Sequence, residues 1–180
     1  MVGIEDWPRP ERTARFHEVV EIVDQLLRNE VTTYQGRYYQ LKDAVMQPRP
    51  IQEPRPPITI AAHGPVMLKI AARHADAWNI CFYGGSGSAD KMLELTRQHN
   101  SLLEDYCTKI GRDPLTLRRS LFFAPQKLET AYGSVDAFEN DVGCFGDAGI
   151  DEFIFPYPLK DEQFPVFERI ANDAIPKLRG

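Results

Sequence analysis

The chain has 180 residues, of which 43% are hydrophobic and 26% charged, a composition that excludes collagen, a coiled coil and a disordered chain. Its 21 basic and 26 acidic side chains give a net charge of −5, the wrong sign for a broad nucleic-acid or anionic-membrane surface. No stretch approaches the roughly 20 apolar residues of a membrane span, and Met1–Asp6 lacks the pattern of a secretory signal. We therefore expect a cytoplasmic protein whose partners are small molecules.

An amphipathic helix is predicted over Glu11–Asn29, where apolar residues recur every three or four positions. A β-hairpin follows, because Val31–Tyr34 and Tyr38–Leu41 are β-branched and aromatic runs on either side of a turn glycine. The segment Gln47–Pro57 carries five prolines and is predicted to be an extended, stiff connector.

Strands and helices alternate regularly from residue 58 onward. The predicted strands are Ile58–Ala61, Trp78–Phe82, Leu117–Ala124 and Asp151–Phe155. The predicted helices are Pro65–His74, Ser88–Ile110, Ser134–Gly149 and one through Phe164 and Ala174 whose end Pro176 loosens. We interpret the chain as one domain, 1–180, made of a leading helix (1–30), the hairpin and connector (31–57) and four βα units (58–180).

This alternation predicts a parallel sheet with right-handed crossovers, of either the doubly wound or the barrel type. A closed barrel takes eight strands in roughly 250 residues, so four strands do not close one. Periodicity alone leaves the two architectures open.

The three cysteines, Cys81, Cys107 and Cys144, are odd in number and lack a Cys-x-x-Cys pair. The pattern predicts buried free thiols and suggests neither a disulfide framework nor a zinc site. In addition, Cys81 has no neighbouring base that would make it a nucleophile.

Several stretches recur together in one enzyme superfamily, in this order and at this spacing: TYQGRYY (33–39), PRP (48–50), PRPPITIAAHGP (54–65), AARHADAWN (71–79) and GRDP (111–114), with Glu11-Arg12 in the first helix. The chain resembles the luciferase-like monooxygenases. The resemblance implies a TIM barrel that uses FMN or the deazaflavin coenzyme F420 (F-420). It covers the C-terminal half, strands five to eight, with the helix of strand four in front.

The fold implied is therefore α/β, a partial TIM (β/α)8 barrel of about four βα units with an N-terminal helix and a β-hairpin insertion. The N-terminal half, which carries much of the catalytic apparatus in the family, is expected to be missing. For that reason no catalytic residue is assigned, and complete catalysis by this chain alone is not expected.

The residues Ala61, Ala62, His63, Gly64 and Pro65 end a predicted strand and begin a predicted helix. Backbone N–H groups and the helix dipole converge on an anion at such a junction, although a plain strand-to-helix turn has the same composition. The resemblance implies that these five residues bind the cofactor, with backbone contacts to its phosphate that do not require the His63 side chain. The form of the turn resembles the F420-dependent branch, and FMN stays the alternative.

Tyr83, Gly84, Gly85 and Ser86 follow the second predicted strand of the sheet at the same edge, where barrels place their chemistry. They are candidates for binding substrate or phosphate, and a flexible loop ahead of a Ser88 helix cap is the alternative. The glycine spacing fits neither a dinucleotide fingerprint nor a P-loop.

Arg73, His74 and Asp76 come just before a predicted strand. In a barrel, residues at this amino-terminal end of the strands contribute to stability and not to the active site. They are predicted to have a structural role, as polar groups that pair with one another. Phe155 and Tyr157 close the last strand, and core packing is predicted for Phe155.

The function implied is that of an oxidoreductase, by flavin- or F420-dependent hydride transfer or monooxygenation of a small-molecule substrate. Two alternatives stay open: a non-catalytic flavin-binding or structural homodimer of half-barrels, and an inactive truncated fragment. Because the outer strands of half a barrel have unpaired edges, the chain is expected to pair with a second copy or with the missing N-terminal half.

Overall fold

A helix and a hairpin precede the main sheet in the computed structural model, which describes residues 6–82, 88–124 and 128–178. Helix α1 spans Arg9–Arg28, and strands β1 (Thr32–Gln35) and β2 (Gln40–Ala44) pair antiparallel. The predicted helix and hairpin are confirmed, with ends shifted by one to three residues.

The turn of the hairpin is held by the carboxylate of Glu18 on α1. This carboxylate accepts hydrogen bonds from the backbone N–H groups of Arg37 (2.9 Å), Tyr38 (2.9 Å) and Tyr39 (3.0 Å). A Cβ placed on Gly36 would lie 2.3 Å from Glu18 Oε2, so this turn needs a glycine to approach the helix. The TYQGRYY stretch therefore serves the docking of the hairpin on α1.

The proline-rich connector, residues 47–57, was predicted to be extended and stiff. It contains no helix or strand, and it bends at several positions. The Gln47–Pro48 and Glu53–Pro54 bonds are cis. Arg55 anchors the connector, because its side chain is only 4% exposed and pairs with Asp24 of α1 and with Asp76.

The main sheet of the described chain has four parallel strands in the order in which they occur: β3 (Thr59–Ala61), β4 (Ala77–Cys81), β5 (Arg118–Phe122) and β6 (Glu152–Ile154). The intervening helices are α2 (Pro65–His74), α3 (Ala89–Lys109), α4 (Leu128–Ala131) and α5 (Val135–Asp147), and a 3₁₀ turn lies at Pro114–Thr116. Strand–helix–strand connections of this kind are right-handed, and here each one adds the next strand on the same side of the sheet. All the connecting helices therefore lie on one face of the sheet. In a doubly wound sheet the order of the strands reverses at one point, and here it does not reverse. The topology is therefore that of a segment of a barrel.

The two faces of the sheet differ in composition. One face packs on the helices and forms the hydrophobic core; its strand residues include Ile60, Trp78, Ile80, Leu121 and Phe153. Arg119 lies on that side, because its guanidinium reaches Glu104 of α3 at 3.3 Å. Alternation puts Ser120 on the other face, where its hydroxyl accepts a 2.9 Å hydrogen bond from Asn79. That second face corresponds to the interior of a closed barrel.

Local signals set the helix ends. Ser88 and Ser134 cap α3 and α5, as predicted, and accept from the backbone N–H groups of Lys91 and Ala137. After β6 the chain forms a 3₁₀ turn (Asp161–Gln163), α6 (Phe164–Arg169), a π-helical turn (Ile170–Ala174) and α7 (Ile175–Leu178). The helix thus continues past Pro176, since the widened turn before it accommodates a residue that lacks an N–H.

Cys81 and Cys107 are buried and Cys144 is half-buried, and none of the three forms a disulfide. Among residues 6–82, 88–124 and 128–178, no helix combines the length and the apolarity that crossing a bilayer requires.

Candidate functional site

The turn between β3 and α2, residues 62–64, lies at the carboxyl edge of the sheet. Gly64 is the N-cap of α2, with φ −95° and ψ 158°, and its carbonyl accepts from the Leu68 N–H at 2.9 Å. No side chain caps this helix and no acidic residue occupies its first turn. The N–H groups of Val66 and Met67 belong to that first turn, where an α-helix has no partners of its own. The turn therefore presents free donors and the positive end of a helix dipole.

A cation stands beside these donors. The Arg9 Nη2 atom at the start of α1 lies 3.8 Å from the position of a Cβ on Gly64, and apart from the adjacent His63 and Pro65 no other described residue has an atom within 4 Å of that position. The first turns of α1 and α2 enclose a groove of about 540 Å³, which we call the α1–α2 groove. It is lined by Arg9, Pro10, Thr13, Ala14, Gly64, Pro65, Val66 and Met67. Uncapped amides and a guanidinium at an open groove suit a phosphate group.

Ala62 fixes the turn and is not itself a free donor. Its N–H donates to the Asn79 carbonyl at 3.1 Å, and its carbonyl accepts from Trp78 Nε1 at 2.8 Å. Because both backbone groups of Ala62 are engaged, the donors left for a ligand are those of the residues that follow it. Ala61 is the last residue of β3, and Pro65 has no N–H to offer.

Aromatic rings lie next to the β3–α2 turn. The ring centroid of His63 lies 6.1 Å from that of His99 on α3 and 6.4 Å from that of Phe82, and His99 lies 6.0 Å from Trp78. Burial lowers the pKa of His63. Burial, and then the nearby His63, lower the pKa of His99, although a hydrogen bond to the His63 backbone opposes this. Both imidazoles are therefore neutral at physiological pH. His99 is half-buried beside the turn, whereas His63 is exposed at its surface.

A small apolar cavity of about 220 Å³ lies at the carboxyl ends of β4 and β5, between the sheet and α3 and α5. It is lined by Phe82, Ala89, Met92, Leu121, Phe122, Phe123, Ala124, Thr130, Asp141 and Phe145. Cofactor-sized pockets measure about 300–1,000 Å³, so this cavity is too small for a tricyclic ring system. The predicted loop residues Tyr83, Gly84, Gly85 and Ser86 lie outside the described residues.

The polar residues before β4 are structural, but their partners differ from those predicted. Asp76 accepts hydrogen bonds from Arg55 and, at 2.6 Å, from the Ile58 N–H, and not from Arg73 or His74. His74 instead contacts His17 on α1. Helix packing thus pairs His74 with α1, and Asp76 with the connector, rather than with one another.

The last strand ends as predicted in aromatic packing. Phe155 packs against the hydrophobic core and stacks on Phe123 with ring centroids 4.4 Å apart. Tyr157 is 65% exposed and contacts Phe164 and Phe167.

A family model described as luciferase-like monooxygenase matches residues 1–106, more than half of the chain. The chain belongs to that family. A relative from Segniliparus rotundus, an F420-dependent glucose-6-phosphate dehydrogenase, is 35% identical over 225 aligned positions, which cover 99% of this chain and 65% of the relative. A protein of the same description from Microbacterium testaceum is 41% identical over 112 residues, or 62% of this chain and 31% of the relative.

Solved structures share the fold. An F420-dependent secondary alcohol dehydrogenase, solved with an F420-acetone adduct, superposes with a TM-score of 0.75 at 16% identity, over 97% of this chain and 64% of that one. A monooxygenase from Streptomyces bottropensis gives a TM-score of 0.66 at 20% identity, over 95% and 63%. The four parallel strands therefore form part of a TIM-type barrel, and this luciferase-like chain spans under two thirds of the length of these proteins.

Two residues of the candidate site were not found from the sequence. Arg9 precedes the predicted helix and carries no motif, and only the packing of α1 on α2 brings it to Gly64. His99 belongs to the inner stripe of α3 with Thr96, Asn100 and Leu103, a pattern that indicates packing without naming its partner.

Proposed function

We propose that the chain is the carboxyl half of an F420-dependent oxidoreductase barrel and that it binds the cofactor through its phosphate group in the α1–α2 groove. The observation that carries this proposal is the uncapped N-terminus of α2 with Arg9 beside it. The names of the relatives support the cofactor, since the glucose-6-phosphate dehydrogenases are described as F420-dependent.

Each residue has a separate task in this proposal. The N–H groups of Gly64, Val66 and Met67 hold the phosphate, and the Arg9 guanidinium balances its charge. Trp78 and His99 keep the turn in place. When bound, a deazaflavin supplies a two-electron hydride carrier, and the protein supplies binding and orientation. The groups that act on the substrate are assigned to the other four strands of such a barrel.

FMN is the second candidate cofactor. The family model is named for monooxygenases, and one of the structural neighbours is a monooxygenase. Both cofactors present a phosphate on a sugar-like chain, so the donors at Gly64 do not distinguish between them. A non-catalytic half-barrel that retains the phosphate site is the remaining alternative, and cofactor titration combined with a redox turnover assay separates it from the enzyme.

The proposal is tested by titrating the chain with F420 and, separately, with FMN, and following the fluorescence of the cofactor. Gly64→Val should weaken binding by about 10- to 100-fold, the equivalent of losing one or two charge-assisted hydrogen bonds. The fold should persist, because the φ of −95° and ψ of 158° at Gly64 are ordinary for valine. Circular dichroism and thermal melts check that it does.

Two further variants separate backbone from side-chain recognition. Arg9→Gln should weaken binding by about tenfold, and its matched control Arg12→Gln, one turn along α1 with a 59% exposed side chain, should not. His63→Ala should change the Kd by less than about threefold, since the proposed contacts are backbone contacts. A dominant His63 effect, or equal effects of Arg9→Gln and Arg12→Gln, would contradict the mechanism. The absence of binding by the wild-type chain would favour an inert fragment.

A further inference from the structure

Two histidines and a glutamate meet on the helix side of the molecule, away from the α1–α2 groove. His17 and Glu21 are one turn apart on α1, and His74 is the last residue of α2, about 15 Å along that helix from Gly64. The Nε2 atoms of His17 and His74 are 2.9 Å apart, and His17 Nε2 is 3.6 Å from Glu21 Oε1. One donor atom from each of the three residues fits within a span of 4.8 Å.

The side chains of this cluster are held in place by their surroundings. The second oxygen of Glu21 accepts a 2.7 Å hydrogen bond from the Tyr34 hydroxyl of the hairpin, which orients the carboxylate. His74 is half-buried at the end of α2, and its Nε2 atom faces the Nε2 atom of His17. Asp24 adds negative charge near the cluster and Arg73 adds positive charge. The two imidazoles direct the same type of nitrogen at one point.

We propose that His17, Glu21 and His74 form a binding site for a divalent transition-metal ion of the zinc class, which ties α1 to α2. Two imidazoles and one carboxylate are a donor set that Zn²⁺ accepts, whereas Mg²⁺ and Ca²⁺ prefer oxygen ligands. Tetrahedral zinc, with Zn–N distances of about 2.0–2.1 Å, places two ligating nitrogens about 3.3 Å apart. The observed 2.9 Å separation reaches this value with an opening of a few tenths of an ångström.

The exposure of the cluster suits a metal ion with a water as its fourth ligand. The His17 and Glu21 side chains are 37% and 33% exposed, so an ion can enter from solvent. The Tyr34 hydroxyl takes the role of an outer partner that positions a ligating carboxylate. Such an ion joins α1, α2 and the hairpin at one point. This matters for α1, where Val20 and Ile22 are the buried residues.

The test starts from the purified chain stripped of metal with a chelator and then titrated with Zn²⁺ against a chromophoric chelator. One zinc ion per chain should bind. The Tm should rise by roughly 5–10 °C at a zinc concentration about a hundredfold above the Kd, by mass action on the folded state. Substitution by Co²⁺ should give the visible absorption of a tetrahedral nitrogen-oxygen site without the intense charge-transfer band of a thiolate.

Variants assign the ligands. His17→Gln and His74→Gln should each abolish stoichiometric binding and the zinc-dependent rise in Tm, and their melts in chelator report whether the fold survives. Glu21→Gln keeps an acceptor for Tyr34 and should weaken binding while preserving the fold. Cys144→Ser and His63→Gln are controls that should bind zinc like the wild type. A wild-type chain that binds no zinc, or a His74→Gln chain with full binding, would overturn the proposal, as would loss of binding in Cys144→Ser.

Discussion

The Arg55 guanidinium joins three parts of the chain at the amino edge of the sheet. It pairs with Asp24 of α1 and with Asp76 ahead of β4, and it also donates to the Pro56 carbonyl at 2.8 Å. Burial disfavours the charged form of Asp76, but the hydrogen bonds from Arg55 and from the Ile58 N–H outweigh it and lower the pKa of Asp76. The carboxylate is therefore charged when folded and holds the connector to the sheet.

We expect Asp76→Asn to lower the free energy of unfolding near neutral pH by about 1 kcal/mol, a modest value because the Asp76 side chain is 41% exposed. Since folding lowers the pKa of Asp76, its contribution is present above the unfolded-state pKa of about 3.9. The contribution is lost as the pH falls through the lower pKa that Asp76 has in the folded state. The wild type and the variant should therefore converge below about pH 4, as measured by urea unfolding from about pH 7 to about pH 3.

The matched control for this prediction is Asp105→Asn, a change of an exposed carboxylate on α3. It should alter the stability by less than about 0.5 kcal/mol. If the difference between wild type and Asp76→Asn persisted unchanged into acid, the carboxylate would not be its source.

At the scale of elements, the end of α5 is locked to α3. The helix ends at Asp147, and Gly149 follows with a φ of +89°, which lets the Ile150 N–H reach the Phe145 carbonyl at 3.0 Å. Asn100 of α3 donates to the Ala148 carbonyl at 2.6 Å. This C-terminal cap of α5 directs the chain into β6. Its positive φ is a conformation that favours glycine.

Gly149→Ala should lower the free energy of unfolding by about 1–3 kcal/mol, because alanine resists a positive φ. The added Cβ would also lie 2.9 Å from Asn100 Nδ2 and displace the amide from Ala148. Urea unfolding midpoints measure the loss. In the control Gly143→Ala, within α5, no described atom other than those of the adjacent residues and the nearby α5 backbone lies within 4 Å of the new Cβ, and helix propensity predicts a gain of up to about 1 kcal/mol. Equal stability of the two variants would contradict this account.

At the scale of the whole molecule, the four-stranded sheet is open. Strands β3 and β6 each pair on one side within the described chain, and Thr59 and Ile154 on these strands are exposed. Ile154, at 41% exposure, is an exposed apolar residue of an edge strand. An unpaired edge with apolar residues is a template for another strand. The same edges are the ones that strands of the other half of a barrel would meet.

We expect the isolated chain to associate through these edges. Sedimentation velocity should detect a species larger than a monomer, and Ile154→Lys or Thr59→Lys should shift the population towards the monomer by placing a charge on the edge. Leu115→Lys is the control, since Leu115 is 85% exposed in the 3₁₀ turn and lies on neither edge. A monodisperse monomer with a cooperative melt would instead indicate a sheet that is complete by itself.

The order and type of the elements could be predicted from the sequence, because they depend on interactions between residues a few positions apart. The stripe of α1, the Ser88 and Ser134 caps and the Pro65 start of α2 are signals of this kind, and the structure has each of them within a few residues of its predicted place. The β3–α2 turn was found in the same way, since a strand that runs into Gly-Pro and a helix is a local pattern. The resemblance to the luciferase-like family then selected the barrel over the doubly wound sheet.

Tertiary structure alone decided which side chains share a site. Strand order excludes a doubly wound sheet, yet the hydrogen bonds that set it join strands separated by whole helices. Arg9 reaches Gly64, and His17 with Glu21 reaches His74 across 57 residues, because α1 packs beside α2 at one particular offset. The sequence pattern specifies which face of each helix is buried, but the packing of both helices on the sheet decides which residues of those faces meet.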